Sequence, residues 1–168
     1  MPSPPQLGHR RLGLHRYGPA FRRHAIRTAV VALILDTGPL YALLDRTDQD
    51  HRACRRLIED AGEALVVPSP VLVEVDQLIR ARLHVGVAVV LLEDIVGGAY
   101  LVEDLLPEDY RRVRDVCYQC ADADIGFVDA AVLAVVERLN EPKLATLDHR
   151  HFRMMRPRHV DALRLLPE

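Results

Sequence analysis

The chain has 168 residues, 49% of them hydrophobic and 27% charged, with a mean hydropathy of +0.01. That is enough for one packed domain and no more, and the longest apolar runs, AVVALIL at 29–35 and VGVAVVLL at 85–92, are too short to span a bilayer. The net charge of −2 conceals an imbalance, because residues 1–28 hold six arginines and no acid while the remainder carries 16 basic residues against 24 acidic ones; such a body excludes nucleic-acid binding by bulk charge, but not a site whose cations reverse the local sign.

Residues 1–28, rich in Pro, Gly, Arg and His, have little apolar periodicity and cannot pack a core. They are expected to be a disordered arm or the product of a start codon set too far upstream, with the folded protein opening near Val30. An RNA-contacting basic arm is a second reading. An export signal ranks last, because AVVALIL is short for an apolar signal core, is followed by Asp36 and lacks an A-x-A-like cleavage site.

From residue 29 onward a single domain, 29–168, is expected. AVVALILD (29–36) reads as a buried parallel strand ending at Asp36. TGPLYALLD then turns into a short helix with Thr37 as N-cap and Pro39 in its first turn. Residues 47–62 form an amphipathic helix capped by Thr47 or Asp48, lined by Ala53, Leu57 and Ile58, and stopped by Gly62. EALVVP (63–68) is a second strand. From Pro70 a helix carries Val71, Val75, Leu78 and Ile79 on one stripe, with Glu74 on or beside it.

Residues 85–98 form a further helix, ended by Gly97-Gly98, and AYLVEDL (99–105) fits a third strand. A helix opened by Pro107 runs over 107–122, with Val113, Val116, Cys117 and Cys120 inward. ADADIG is a loop, and residues 127–140 form a strongly apolar helix with Asp129 in its first turn. PKLATLD (142–148) is a fourth strand ending at Asp148, and residues 160–167 hold a fifth. This alternation indicates an α/β fold, a three-layer α/β/α domain on a mainly parallel sheet of four to five strands. Function in such sheets sits beyond the carboxyl ends of the strands.

Four carboxylates stand where apolar runs end or inside them: Asp36, Glu74, Asp129 and Asp148. Acids are rarely buried unless paired or bound to a cation. A convergent acidic pocket suits a hard divalent cation, Mg2+ or Mn2+, and points to metal-dependent phosphoryl transfer, a nuclease first. Singly, each acid also reads as a cap or turn residue. Asp122 and Asp124 lie in the loop before Asp129, where solvation or capping explains them. Cys54, Cys117 and Cys120 do not make a disulfide framework and suit a reducing cytoplasm; Cys117 and Cys120, at i and i+3, read as core residues rather than zinc ligands. His149 and His151 could bind a transition metal, but read first as a solvated loop or a phosphate contact.

LILDTGPLYALLDRTDQDH, PSPVLVEVDQLI, DADIGFVDAAVLAVVERL and LATLDHRHF together resemble the PIN-domain ribonucleases, and within them the VapC-type toxins of bacterial toxin–antitoxin pairs. The resemblance covers residues 30–168. It implies an α/β/α fold, an Mg2+- or Mn2+-dependent endoribonuclease, a homodimer, and inhibition by a cognate VapB-like antitoxin. Asp36, Glu74, Asp129 and Asp148 match the four family acids in order, and Thr37 matches the small hydroxyl residue after the first. The resemblance also implies a 5′-phosphate and a 3′-hydroxyl as products. Residues 1–28 depart from the family, whose members begin shortly before the first acid.

On this reading Asp36, Glu74 and Asp129 hold the main ion, and Asp148 helps hold a second or orients water. Thr37 and Thr146 would donate hydrogen bonds to substrate or to ligand oxygens. Arg150 and Arg153 are candidates for the RNA backbone, with Arg46 and His51 weaker ones. The competing reading is a non-catalytic PIN-like module that binds RNA or protein; mutually repelling acids disfavour it. A small-molecule phosphohydrolase of the haloacid-dehalogenase type would need DxD where DTG stands, and a nucleotide-binding protein would need a glycine-rich phosphate loop that is missing.

Overall fold

The computed structural model describes residues 31–168. The basic segment 1–28 and the first two residues of the expected strand at 29–36 lie outside the described residues.

Five parallel strands form one sheet: β1 (Ala32–Leu35), β2 (Ala64–Pro68), β3 (Leu101–Glu103), β4 (Lys143–Ala145) and β5 (Arg164–Leu166), in the order β3-β2-β1-β4-β5. All four residues of β1 are buried, as a central strand covered on both faces requires. The edge strands β3 and β5 are three residues long and only partly buried, which limits the unpaired edge. Seven α-helices complete a three-layer α/β/α domain: α1 (Thr37–Leu44), α2 (His51–Glu59), α3 (Ser69–Arg82), α4 (Val85–Val96), α5 (Pro107–Gln119), α6 (Phe127–Arg138) and α7 (His149–Met154). Helix α6 is buried from Ala130 through Val136 without a break, so it packs on several neighbours, among them α3, α5 and α7. Among the described residues, no helix is long and apolar enough to cross a membrane.

The elements follow the sequence reading with local corrections. Asp36, not Thr37, is the N-cap of α1. Helix α2 starts at His51, because Asp45 accepts from the backbone and hydroxyl of Thr47, and Asp48 accepts from Asp50 N–H. These local bonds offer the backbone an alternative to the helix. Neither Thr47 nor Asp48 caps it, and it stops at Glu59, before Gly62. Helix α5 ends at Gln119, and the ADADIG loop contains a 3-10 turn at Ala121–Ala123. β4 ends at Ala145 rather than Asp148, and Asp148 instead caps α7, whose Phe152 alone is buried. Cys54 is buried, and Cys117 and Cys120 pack part-buried against the core; all three thiols are free.

Two ion-pair clamps tie α6 to its surroundings. The Arg112 guanidinium meets both oxygens of Glu137, at 2.8 and 2.7 Å, and donates to the Arg156 carbonyl. Arg138 bridges Asp109 and Glu103 and donates to the Asp104 carbonyl. With each charge hydrogen-bonded to its partner, these buried and part-buried ions avoid the cost of isolated ones.

From β1 the chain builds outward to β2 and β3, then returns to add β4 and β5 on the other side of β1. The strand order therefore reverses between β1 and β4. In open parallel sheets, the crevice beyond the carboxyl ends at such a point is where ligands bind.

Candidate active site

Asp36 follows β1 at this reversal, and its N–H bonds the Ala145 carbonyl at the end of β4 at 2.9 Å. Its carboxylate is 5% exposed. Thr146, fully buried, donates from Oγ1 to Asp36 Oδ2 at 2.8 Å and accepts from Asp148 N–H at 3.0 Å. One hydroxyl thus links the acid after β1 to the turn after β4. Gly38 permits the approach of α1 to that turn, since a Cβ there would stand 3.1 Å from Leu147 Cβ.

The other acids come from three helices. Glu74, half-buried on α3, accepts from Thr37 Oγ1 at 2.8 Å. Asp129 lies in the first turn of α6, where the helix dipole favours its charge. Asp148 accepts from His151 N–H at 2.9 Å as the cap of α7. Both threonine hydroxyls singled out in the sequence therefore point their protons at carboxylates. Arg150 and Arg153 are exposed on α7. His51 Nδ1 is held 2.8 Å from the Ala42 carbonyl, and Asp122 and Asp124 are exposed in their loop.

His151, read from the sequence as a solvated loop residue or a phosphate contact, instead stands among the acids. Its Nδ1 stands 2.9 Å from Asp148 Oδ2 and 3.5 Å from Asp129 Oδ2, between two acids. The alignment is poor, so this buried nitrogen completes no hydrogen bond. The i+3 spacing from Asp148 turns His151 toward that acid once Asp148 caps a helix rather than ending a strand.

Asp36 and Asp129 each feel the charge of other acids. Burial pushes the Asp36 carboxyl up from 3.8 to about 7; the Thr146 hydroxyl and the Thr37 N–H oppose the rise, and the charges of Asp129 and Glu74 add to it. Asp129 is also raised, by burial first, against the pull of His151 and the Gly126 N–H; Asp148 and Glu74 raise it further. Among the described residues, no three His, Cys, Asp or Glu side chains close into a ready-made metal cage. A hard cation such as Mg2+ does not need one, since it keeps several waters and uses one or two carboxylates. An all-oxygen set, with a desolvated acid among like charges, fits such an ion: Asp36, Glu74, Asp129 and Asp148 are the residues that would hold it.

The PIN-domain family model matches residues 33–156, a span that contains all four acids. The chain belongs to the PIN-domain family. Within the family it is of the VapC type: it is 31% identical over 125 residues to Ribonuclease VapC26 of Mycobacterium tuberculosis (strain ATCC 25618 / H37Rv), an alignment that covers 74% of this chain and 93% of the relative. The PIN fold is shared with the solved structure of Mycobacterium tuberculosis VapC20, a sarcin-ricin loop cleaving toxin, at a TM-score of 0.65 and 19% identity, covering 77% of this chain and 98% of the other. It is shared also with VapBC2 from Rickettsia felis, solved bound to a DNA fragment from its promoter, at a TM-score of 0.60 and 13% identity over 82% and 100% of the two chains.

Proposed function

We propose that this PIN-domain protein is a metal-dependent endoribonuclease, the toxin of a toxin–antitoxin pair, and that Asp36, Glu74, Asp129 and Asp148 are its acids. The observation that carries the reading is the buried Asp36 carboxylate at the β1/β4 reversal, raised to about 7 and facing further acids. A protein gains no stability from such a group, so its placement is a functional one. When bound, Mg2+ or Mn2+ would activate water and neutralise charge on the transferring phosphoryl group.

The chain's own residues set up that chemistry. Thr146 and Thr37 hold the Asp36 and Glu74 carboxylates in one orientation each. The backbone of α7 fixes Asp148, and His151 sits between Asp148 and Asp129, limiting their mutual repulsion. Arg150 and Arg153, exposed on the helix that Asp148 caps, are the groups assigned to the phosphates flanking the scissile bond. The full chain, incubated with structured RNAs, is expected to cleave with Mg2+ or Mn2+ and to stop in EDTA. Cleavage that persists unchanged in EDTA, or no cleavage of any RNA tried, defeats the reading.

The double role of Asp148 allows charge and cap to be separated. Asp148→Asn retains a good N-cap and is expected to lose about 10–100-fold in activity with little change in stability. Asp148→Ala is expected to lose the same activity and about 1 kcal/mol besides. Urea melts of the two variants read the difference, and equal stabilities remove the capping role. Arg150→Ala and Arg153→Ala are each expected to weaken RNA binding alike across sequences, and to lower the slope of log K against log salt by about 1. An unchanged slope removes that arginine from the phosphate contacts.

The reading includes a homodimer, an RNA substrate, a VapB-like antitoxin and a reducing cytoplasm that suits three free thiols. Helix α4 presents Val85, Val89, Leu92 and Val96 to solvent, an apolar stripe at helical spacing that a second copy of the chain would cover in such a dimer. Light scattering is expected to give twice the 18.9 kDa of one chain, falling to one copy in Leu92→Glu; a single-copy mass for the wild type ends the dimer. Co-expression with a small reading frame adjacent to this gene is expected to yield a complex in which cleavage is suppressed, and full cleavage in its presence would reject that frame as the antitoxin.

A further inference from the structure

Aromatic residues are scarce here, five Tyr and three Phe with no Trp. Among the described residues, Tyr41, Tyr100 and Phe152 are buried in the core, whereas Tyr118 is 85% exposed and Tyr110 and Phe127 are 54% and 48% exposed. These two lie against each other, ring centroids 6.4 Å apart and planes tilted by 34°. Tyr110 is on α5 and Phe127 is the first residue of α6, so the pair straddles two packed helices.

The location gives the pair its meaning. Phe127 precedes the acid Asp129 by two residues, about 3 Å along the helix axis and roughly 200° around it. A side chain in the first turn leans over the N-terminal end of its helix. The rings and the acid therefore share the N-terminal end of α6 but stand on opposite sides of it. Gly126, the exposed residue before Phe127, leaves the approach open: a Cβ there would meet only Asp129 Oδ2, at 3.9 Å. Arg111, next to Tyr110, is also exposed. Aromatic faces beside a cation are how proteins receive unpaired bases, each of which offers a π-face whatever its sequence.

We propose that Tyr110 and Phe127 form a stacking platform for an unpaired RNA base next to the scissile phosphate. The proposal rests on the ribonuclease reading above and names how that site takes its substrate. An RNA whose target bond lies in a single-stranded loop would be preferred to a continuous duplex.

Binding is measured by fluorescence anisotropy in full-length Asp36→Asn protein, which removes one repelling charge and prevents turnover. The two probes are a decameric oligoadenylate and a ribose-phosphate decamer of the same length lacking all bases. Phe127→Ala is expected to weaken the oligoadenylate roughly 5- to 100-fold and to leave the base-free decamer unchanged. Phe127→Trp is expected to restore oligoadenylate binding. Equal losses on both probes, as misfolding or a lost protein contact would give, overturn the platform, and so does no loss on either. If the parent binds oligoadenylate while the platform fails in this way, the ribonuclease reading stands. If the parent binds neither probe the platform falls, and the ribonuclease reading is then decided by the EDTA-sensitive cleavage assay alone.

Discussion

Asp36→Asn should lose RNA cleavage by about 10³-fold or more and at the same time raise the melting temperature of the metal-free protein. On the proposed reading the loss follows from removing the most buried of the four acids, where a bound cation would be worth several kcal/mol to the transition state. The gain follows from linkage. The carboxyl of Asp36 is raised from 3.8 to about 7 in the folded protein. Between those values the folded state binds the extra proton, so the contribution of this group to stability is complete below about 3.8 and is lost as the pH rises through about 7. The full loss is at most about 4 kcal/mol at 1.36 kcal/mol per pKa unit. Asparagine carries no charge to bury and still accepts from Thr146. At pH 8 the variant is expected to melt roughly 5–10 °C above the parent without metal, with the gap closing toward pH 4. Adding Mg2+ should raise the parent and not the variant, because only a ligand of the native site shifts its melting point. Thermal melts at pH 4, 6 and 8, with and without Mg2+, test this, and a pH-independent gap or an equal response to Mg2+ would overturn it.

Arg112→Met should be the most destabilising single change outside the apolar core. Arg112 and Glu137 are buried, their side chains 7% and 9% exposed. Besides meeting each other twice, they hold the segment after α7, through the Arg156 carbonyl on Arg112 and the Arg158 N–H on Glu137. Removing the guanidinium leaves Glu137 as a buried, uncompensated charge, which costs about 3–5 kcal/mol. That corresponds to a fall in melting temperature on the order of 10 °C. The double variant Arg112→Met, Glu137→Met should recover most of the loss, because it removes the charge as well as its partner. Urea denaturation reads both; a double variant no more stable than the single one would show that the pair matters for shape rather than charge.

Much of this could be read from residues alone, for a local reason. β1, β2 and α6 are runs whose apolar content outweighs local alternatives, and α3 and α4 carry their apolar spacing without competing side-chain bonds. Where short polar side chains competed, as at Asp45, Thr47 and Asp48 before α2, propensity misplaced the boundary. Helix α7 was illegible for a different reason: six residues that bury only Phe152 leave no period to detect. Missing that helix hid the cap on Asp148 and the position of His151.

The sequence by itself determined which elements form, α7 excepted, and which four acids interrupt or end the apolar runs, since periodicity, capping and the cost of burying charge are properties of neighbours along the chain. Only the tertiary structure decided how these acids lie relative to one another. The order β3-β2-β1-β4-β5 puts β4 beside β1 and so brings Thr146 to Asp36; α3 and α6 pack together and present Glu74 and Asp129 to the same reversal. Strand order depends on pairings between residues far apart in the chain, and no local propensity records those pairings.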